Sequence, residues 1–192
     1  LYGMSMLYGL TGTLDLDRLA RAALGPSTAA NAGIIIAVSF IVVAVAFKFG
    51  AVPFHMWVPD VYHGAPTSVV TLLSTTPKLG YFALAIRLLS HGLESNPQAW
   101  TQMIMLLAAL SLIIGNVVAI AQTSIRRMLA YSTVANVGFL LLGFVPATGA
   151  SYATALNYTL IYILTSLASF GVVLLAARAN GEAEQLDDYK GL

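Results

Sequence analysis

Lys48 and Lys78 each sit inside a long apolar stretch, and none of the eight carboxylates of the chain lies in such a stretch. Transfer into a low-dielectric medium disfavours the charged form of any amine that lacks a partner or water. Ionisable groups at bilayer depth therefore tend to mark ion or proton pathways. The chemistry open to two such amines is the loading and unloading of protons, not bond cleavage. Asp15, Asp17, Asp60, Glu94, Glu182, Glu184, Asp187 and Asp188 all fall in expected loops or the tail. A structural ion pair for Lys78, the plainest alternative to a relay, thus needs a partner from outside the chain.

Other groups offer less. The three histidines are His55, His63 and His91, and their spacing is not that of a metal site. His55 and His63 follow Pro53 and either feed protons inward or serve as interfacial polar residues. His91 lies beside Glu94, where a solvated role is the default. The chain has no cysteine, which excludes thiol chemistry, disulfides and cysteine-held iron–sulfur clusters within it. A net charge of +1 gives no basic excess for binding nucleic acid.

The elements that position the lysines follow from composition. Hydrophobic residues make up 58% and charged residues 9%, against about 25% charged in ordinary soluble domains. With a mean hydropathy of +0.83, the chain is expected to be an all-α, polytopic transmembrane helix bundle. A spanning helix needs about 20 mostly apolar residues, which predicts one partial helix ending near Thr11 and five full ones. These run from Asn31 to Val58, Thr67 to Ser90, Trp100 to Gln122, Arg126 to Val145 and Ser151 to Arg178. The chain opens on Leu1 in mid-helix and closes on an acidic stretch from Glu182 to Asp188, so it is expected to be an internal piece of a longer polytopic protein. Loops on one side carry Arg18 and Arg21, with Arg87 near that end. Those on the other carry Arg126, Arg127, Arg178 and Lys190, which makes the second side the expected cytoplasmic one.

Two prolines disturb the helices next to the lysines. The segment from Asn31 to Val58 has 28 residues, about 42 Å at 1.5 Å per residue, longer than a span requires. Pro53 has no N–H to offer the carbonyl of Phe49, so Lys48 is expected at the break of a discontinuous helix lining a cavity. Alternatively, Lys48 ends a short helix and snorkels. Lys78 lies near the middle of its span, too deep to snorkel. Pro77 frees the carbonyl of Leu73, and Ser74, Thr75 and Thr76 are expected to add a polar seam.

The segment from Lys48 through Pro53, His55, Trp57, Pro59, Asp60, Tyr62 and His63 to Thr67, then Ser74-Thr-Thr-Pro-Lys78, then Arg127 through Tyr131, Ser132 and Asn136 to Gly138, resembles the subunit N family of bacterial proton-pumping NADH:quinone oxidoreductase, respiratory complex I. The resemblance implies an antiporter-like membrane subunit built from inverted helix repeats, each with a broken helix. Residues 1–90 would end the first repeat, 100–178 begin the second, and 179–192 form a loop or tail. It implies that Lys48 pairs with a glutamate outside these residues and that Lys78 is the central relay lysine. It also implies a multi-pass place in the bacterial inner membrane among other complex I membrane subunits and lipid. NADH, FMN, iron–sulfur clusters and quinone would be held elsewhere in the complex, with no cofactor in this chain. A subunit of a related cation/proton antiporter or membrane-bound hydrogenase, or a purely structural scaffold, are the competing readings.

Many members of that family carry His where this chain has Asn136, and an amide orients water but does not change charge near neutral pH. Tyr131 and Ser132 match the family; their hydroxyls either hold a water wire or bond between helices. Trp57, Pro59, Asp60 and Tyr62 resemble the family's turn after the broken helix. Trp57 and Tyr62 are expected at the membrane interface, with Asp60 capping a helix or pairing with Arg126 or Arg127. Gly80, Gly115, Gly138, Gly143 and Gly171 are expected to allow close helix packing.

Overall fold

The computed structural model describes residues 1–22, 28–93, 97–180 and 185–190. Glu94, Glu182 and Glu184 lie outside the described residues. The order is α1 (Tyr2–Thr11), α2 (Leu16–Ala22), α3 (Thr28–Phe49), α4 (Trp57–Gly64), α5 (Thr67–Ile86) extended by a π-helical turn (Arg87–Gly92), α6 (Gln98–Ile120), α7 (Ile125–Leu142) and α8 (Gly149–Asn180), then a short 3-10 turn at Leu186–Tyr189. Ala32–Phe49, Thr67–Gly92, Trp100–Ile120 and Gly149–Ala176 are long and apolar enough to cross a membrane. The fifth expected span, α7, is 18 residues long. It begins with Arg126 and Arg127 and carries a polar middle, which lowers its hydropathy. The chain is a multi-pass membrane protein.

The short helix α2 was not expected in the loop after α1. It forms because Asp15 caps it, its carboxylate accepting the N–H groups of Asp17 at 3.0 Å and Arg18 at 3.2 Å. Leu19 from this helix is then buried against the bundle.

The break after α3 occurs as expected but three residues before the proline. Gly50 has φ +77°, the left-handed conformation that glycine adopts without strain. Its N–H donates to the carbonyl of Phe47 at 3.1 Å, while the N–H of Ala51 reaches that of Ala46 at 2.8 Å. This is the Schellman pattern of a helix C-terminus, so glycine ends α3 and Pro53 falls in the turn that follows. The chain resumes as α4 at Trp57 and continues past the expected end at Val58. Two side chains tie the turn down. The indole N–H of Trp57 donates to the carbonyl of Phe47 at 3.0 Å, and the buried Ser111 hydroxyl oxygen accepts the N–H of Val52 at 2.9 Å. Ser111→Ala is expected to leave that buried donor unpaired and to cost about 1–3 kcal/mol, read as faster amide exchange at residues 50–56. Unchanged exchange there would count against the tether.

Helices α6 and α7 form a close antiparallel hairpin, α5 packs on α8, α1 on α3, and α4 on α7. Added Cβ atoms at Gly115, Gly138 and Gly143 would meet Ala135, Leu112 and Ala155 at 2.6, 2.8 and 2.5 Å, so these three glycines do permit close approach. Gly80 and Gly171 make no such approach within this chain: neither has an atom within 4 Å of such a Cβ. Asp60 pairs with Arg127 at 2.6 Å, and Leu186 N–H donates to the carbonyl of Thr123 at 2.9 Å. The turn after α3, the α6–α7 loop and the tail therefore meet at one end of the bundle.

Candidate functional site

Lys78 sits in the middle of α5, a helix that continues through Pro77. It is 4% exposed. No carboxylate among the described residues pairs with it. Its Nζ donates instead to the Tyr162 hydroxyl of α8 at 3.1 Å and lies 4.1 Å from the centre of that ring. An ammonium near an aromatic face gains electrostatic attraction that grows when the pair is desolvated. Tyr162 passes the hydrogen bonding on, donating to Thr133 Oγ1 of α7 at 2.8 Å.

The hydroxyls predicted to flank Lys78 behave differently. Ser74 and Thr75 are buried and donate to the carbonyl of Thr71, at 3.0 and 2.8 Å, back-bonding to their own helix, and the lysine Nζ reaches Tyr162 instead. Thr76 is exposed and lies outside the expected seam.

Lys48 occupies the last turn of α3, where the helix dipole favours a cation. Its Nζ lies 5.6 Å from the Tyr81 ring centre, and its side chain is exposed on the surface of this chain. A cavity of about 290 Å³ has both Lys48 and Lys78 in its wall, with Tyr62, Pro77, Tyr81 and Thr133. Lys48 also borders an apolar cavity of about 460 Å³ between α1, α3 and α5. The two lysines, 30 positions apart in sequence, thus share one space.

A second cavity of about 200 Å³ lies on the other side of Thr133, lined by Ser132, Asn136, Tyr158, Tyr162 and Ser166 among others. Asn136 is held there: its amide N–H donates to the carbonyl of Ser132 at 2.8 Å, and its oxygen accepts from the Tyr158 hydroxyl at 2.7 Å. Of the hydroxyl candidates, Ser132 faces this cavity and Tyr131 does not. Tyr131 stacks edge-on with His55, ring centres 6.1 Å apart, away from the lysines. His55 is 7% exposed, because the turn after α3 folds back onto α7. His63 faces Ser124 Oγ at 3.4 Å, at the end where Asp60 and Arg127 meet. Tyr62 is 2% exposed and packs edge-on against Phe170, ring centres 5.7 Å apart.

Tyr162, Thr133, Tyr158 and Tyr81 were not among the residues singled out by sequence. One signal was available. On α8, Tyr158, Tyr162, Thr165, Ser166 and Ser169 recur at helical spacing and form a polar stripe on an apolar span. All five line the second cavity.

Known proteins are similar to this chain along its length. A family model described as "NADH:quinone oxidoreductase/Mrp antiporter, TM" matches residues 1–192. Proteins named NADH-quinone oxidoreductase subunit N from Acidithiobacillus ferrooxidans and Thioalkalivibrio sulfidiphilus are 55% and 52% identical over all of this chain. The chain spans about 40% of the length of these relatives. A chain in respiratory complex I from Thermus thermophilus is similar with a TM-score of 0.66 and 34% identity, over 86% of this chain and 35% of that one. A chain of an archaeal membrane-bound sulfane sulfur reductase shares the fold, with a TM-score of 0.82 at 20% identity over 100% of this chain and 39% of that one. With a match along its whole length and lysines placed across a shared cavity between broken and continuous helices, this chain belongs to the transmembrane family of NADH:quinone oxidoreductase and Mrp antiporter subunits.

Proposed function

We propose that this chain is part of a proton-translocating membrane subunit of NADH:quinone oxidoreductase, with Lys48 and Lys78 as successive proton carriers. The observation that carries the reading is the shared cavity. Lys78 is buried without a carboxylate among the described residues, yet it faces both a space reaching Lys48 and a chain of hydroxyls. Such an amine is costly as a structural element and useful as a site that charges and discharges.

In this reading Lys48, exposed at the end of α3, is paired and released by a group outside these residues. Its release pushes a proton toward Lys78, and the cavity between them holds the connecting water. The chain turns over no substrate itself and acts as one part of a translocase. NADH, FMN, iron–sulfur clusters and quinone belong to other subunits. The donor set agrees, since a chain without cysteine offers no thiolate to a cluster. Its partners are the other membrane subunits of the complex and lipid, not nucleic acid. Its place is the bacterial inner membrane, with the end bearing Arg126, Arg127 and Lys190 toward the cytoplasm. An antiporter subunit would share the fold, and the identity to subunit N relatives favours the oxidoreductase.

The test is Lys48→Ala in the full-length subunit within the intact complex. In sealed inverted vesicles the variant is expected to slow NADH-driven quinone reduction and to lower the protons pumped per NADH. A wild-type rate together with a wild-type proton ratio would remove Lys48 from the relay.

A further inference from the structure

In the arrangement seen here the hydrogen bonds leading away from Lys78 run one way, with the Tyr62 hydroxyl also beside Thr133 and the Ser166 hydroxyl beside Tyr162. Thr133 Oγ1 donates to the carbonyl of Leu129 at 3.0 Å, a group with no proton to return. The threonine oxygen is therefore the acceptor toward Tyr162, and the tyrosine, with a single proton, is the donor at 2.8 Å. That commitment leaves Tyr162 only its lone pairs for Lys78, which donates at 3.1 Å. Thr133 is the residue common to the walls of both cavities, while Lys78 lines one and Tyr162 the other. The Lys78–Tyr162 bond thus crosses the partition, and the chain ends on a backbone carbonyl.

We propose that the Tyr162 and Thr133 hydroxyls form a proton gate between the two cavities, closed while Thr133 donates to Leu129 and opened when that hydroxyl turns toward the second cavity. The proposal rests on the reading of Lys78 as a relay. In the open arrangement the Lys78 ammonium gives a proton to the Tyr162 oxygen as Tyr162 gives its own to Thr133, and Thr133 gives its own to a water of the second cavity. One N–H bond breaks and one O–H bond forms on water. The amine is left neutral, and each hydroxyl ends with one proton, turned from its starting direction. The next passage requires both hydroxyls to turn back, so the pair does not act as a continuously conducting wire. Ser132, Ser166 and the Tyr158–Asn136 pair supply the polar wall that such a water needs.

The experiment uses the intact complex with the full-length subunit in sealed inverted vesicles, alongside native gels for assembly. Tyr162→Phe keeps the ring beside the lysine and removes only the hydroxyl. Thr133→Val keeps the size and removes the other hydroxyl. Each is expected to assemble normally and to lower protons pumped per NADH by roughly tenfold or more, a modest share of what positioned proton-transfer groups contribute. Thr133→Ser is expected to restore pumping, and the residual pumping of Tyr162→Phe to slow more in D2O than that of the wild type. If Thr133→Val does not assemble, Tyr162→Phe decides alone. With Lys78→Ala inactive, wild-type pumping by Tyr162→Phe overturns the gate and leaves the relay standing; so does a Thr133→Ser variant as poor as Thr133→Val. Wild-type pumping by Lys78→Ala removes the relay and the gate with it.

Discussion

Lys78→Met is expected to abolish proton pumping by the intact complex while leaving its assembly and thermal stability unchanged or slightly higher. The two halves of this expectation have one cause. Lys78 is 4% exposed, and its Nζ bonds a single hydroxyl. Replacing a buried charge with an apolar side chain of similar volume is often neutral or stabilising. Methionine fills the same path between α5 and α8 without needing water or an acceptor. Tyr162 keeps its bond to Thr133. What is lost is the one amine on α5, and the titratable side chains left around Thr133, Tyr62 and Tyr162, are phenols. Dye-monitored acidification of inverted vesicles checks the first half, and thermal unfolding of the purified complex checks the second. A Lys78→Met complex that pumps at the wild-type ratio would mean that the lysine is structural. One that falls apart would mean that the charge holds the bundle together.

Gly115→Val is expected to remove most of the assembled complex, through packing and not chemistry. A Cβ at Gly115 would stand 2.6 Å from the backbone nitrogen of Ala135 and 2.9 Å from its Cα. Backbone cannot swing aside as a side chain does, so α6 and α7 must separate. Overpacking a close contact costs typically about 1–3 kcal/mol and sometimes more, and in a membrane, tight van der Waals contact is much of what holds helices together. The displacement would also reach the site, because α7 carries Thr133 and α6 carries the Ser111 tether of the turn after α3. Gly80→Val is the control: a Cβ there meets nothing within 4 Å in this chain, and assembly is expected to stay normal. Native gels of membranes expressing each variant decide the matter, and equal amounts of complex from both would refute the packing argument.

How far the sequence led can be judged residue by residue. The depth of Lys78 was legible because the apolar runs on either side of it measure its distance from water directly. The discontinuity after Lys48 was legible too, but its cause was misplaced. Pro53 drew attention, whereas Gly50, three positions earlier, ends the helix through a left-handed cap that depends only on local backbone conformation. Charge and topology offered Asp60 either a helix cap or an arginine on the same side, and the structure pairs it with Arg127. Burial of His55 and Tyr62 did not follow, since both sit in or after a turn that a reading by span length assigns to the interface. Their burial depends on that turn folding back toward α7 and α8.

Tyr162 marks the boundary of what one-dimensional reasoning reaches. It lies 84 positions from Lys78, on a helix whose polar stripe can be read from spacing alone. The direction in which that stripe points cannot. Transfer of a helix from water to hydrocarbon is a sum over its own residues, so the sequence by itself determined the membrane class, the order of the helices, the place of Lys78 in mid-helix and the absence of an acid in any span. Rotation of one spanning helix against another is set by interlocking contacts, with little hydrophobic gradient between lipid and protein interior to announce it. For that reason only the tertiary structure decided that Lys78 meets a hydroxyl pair, that Lys48 shares its cavity, and that Thr133 stands between two chambers.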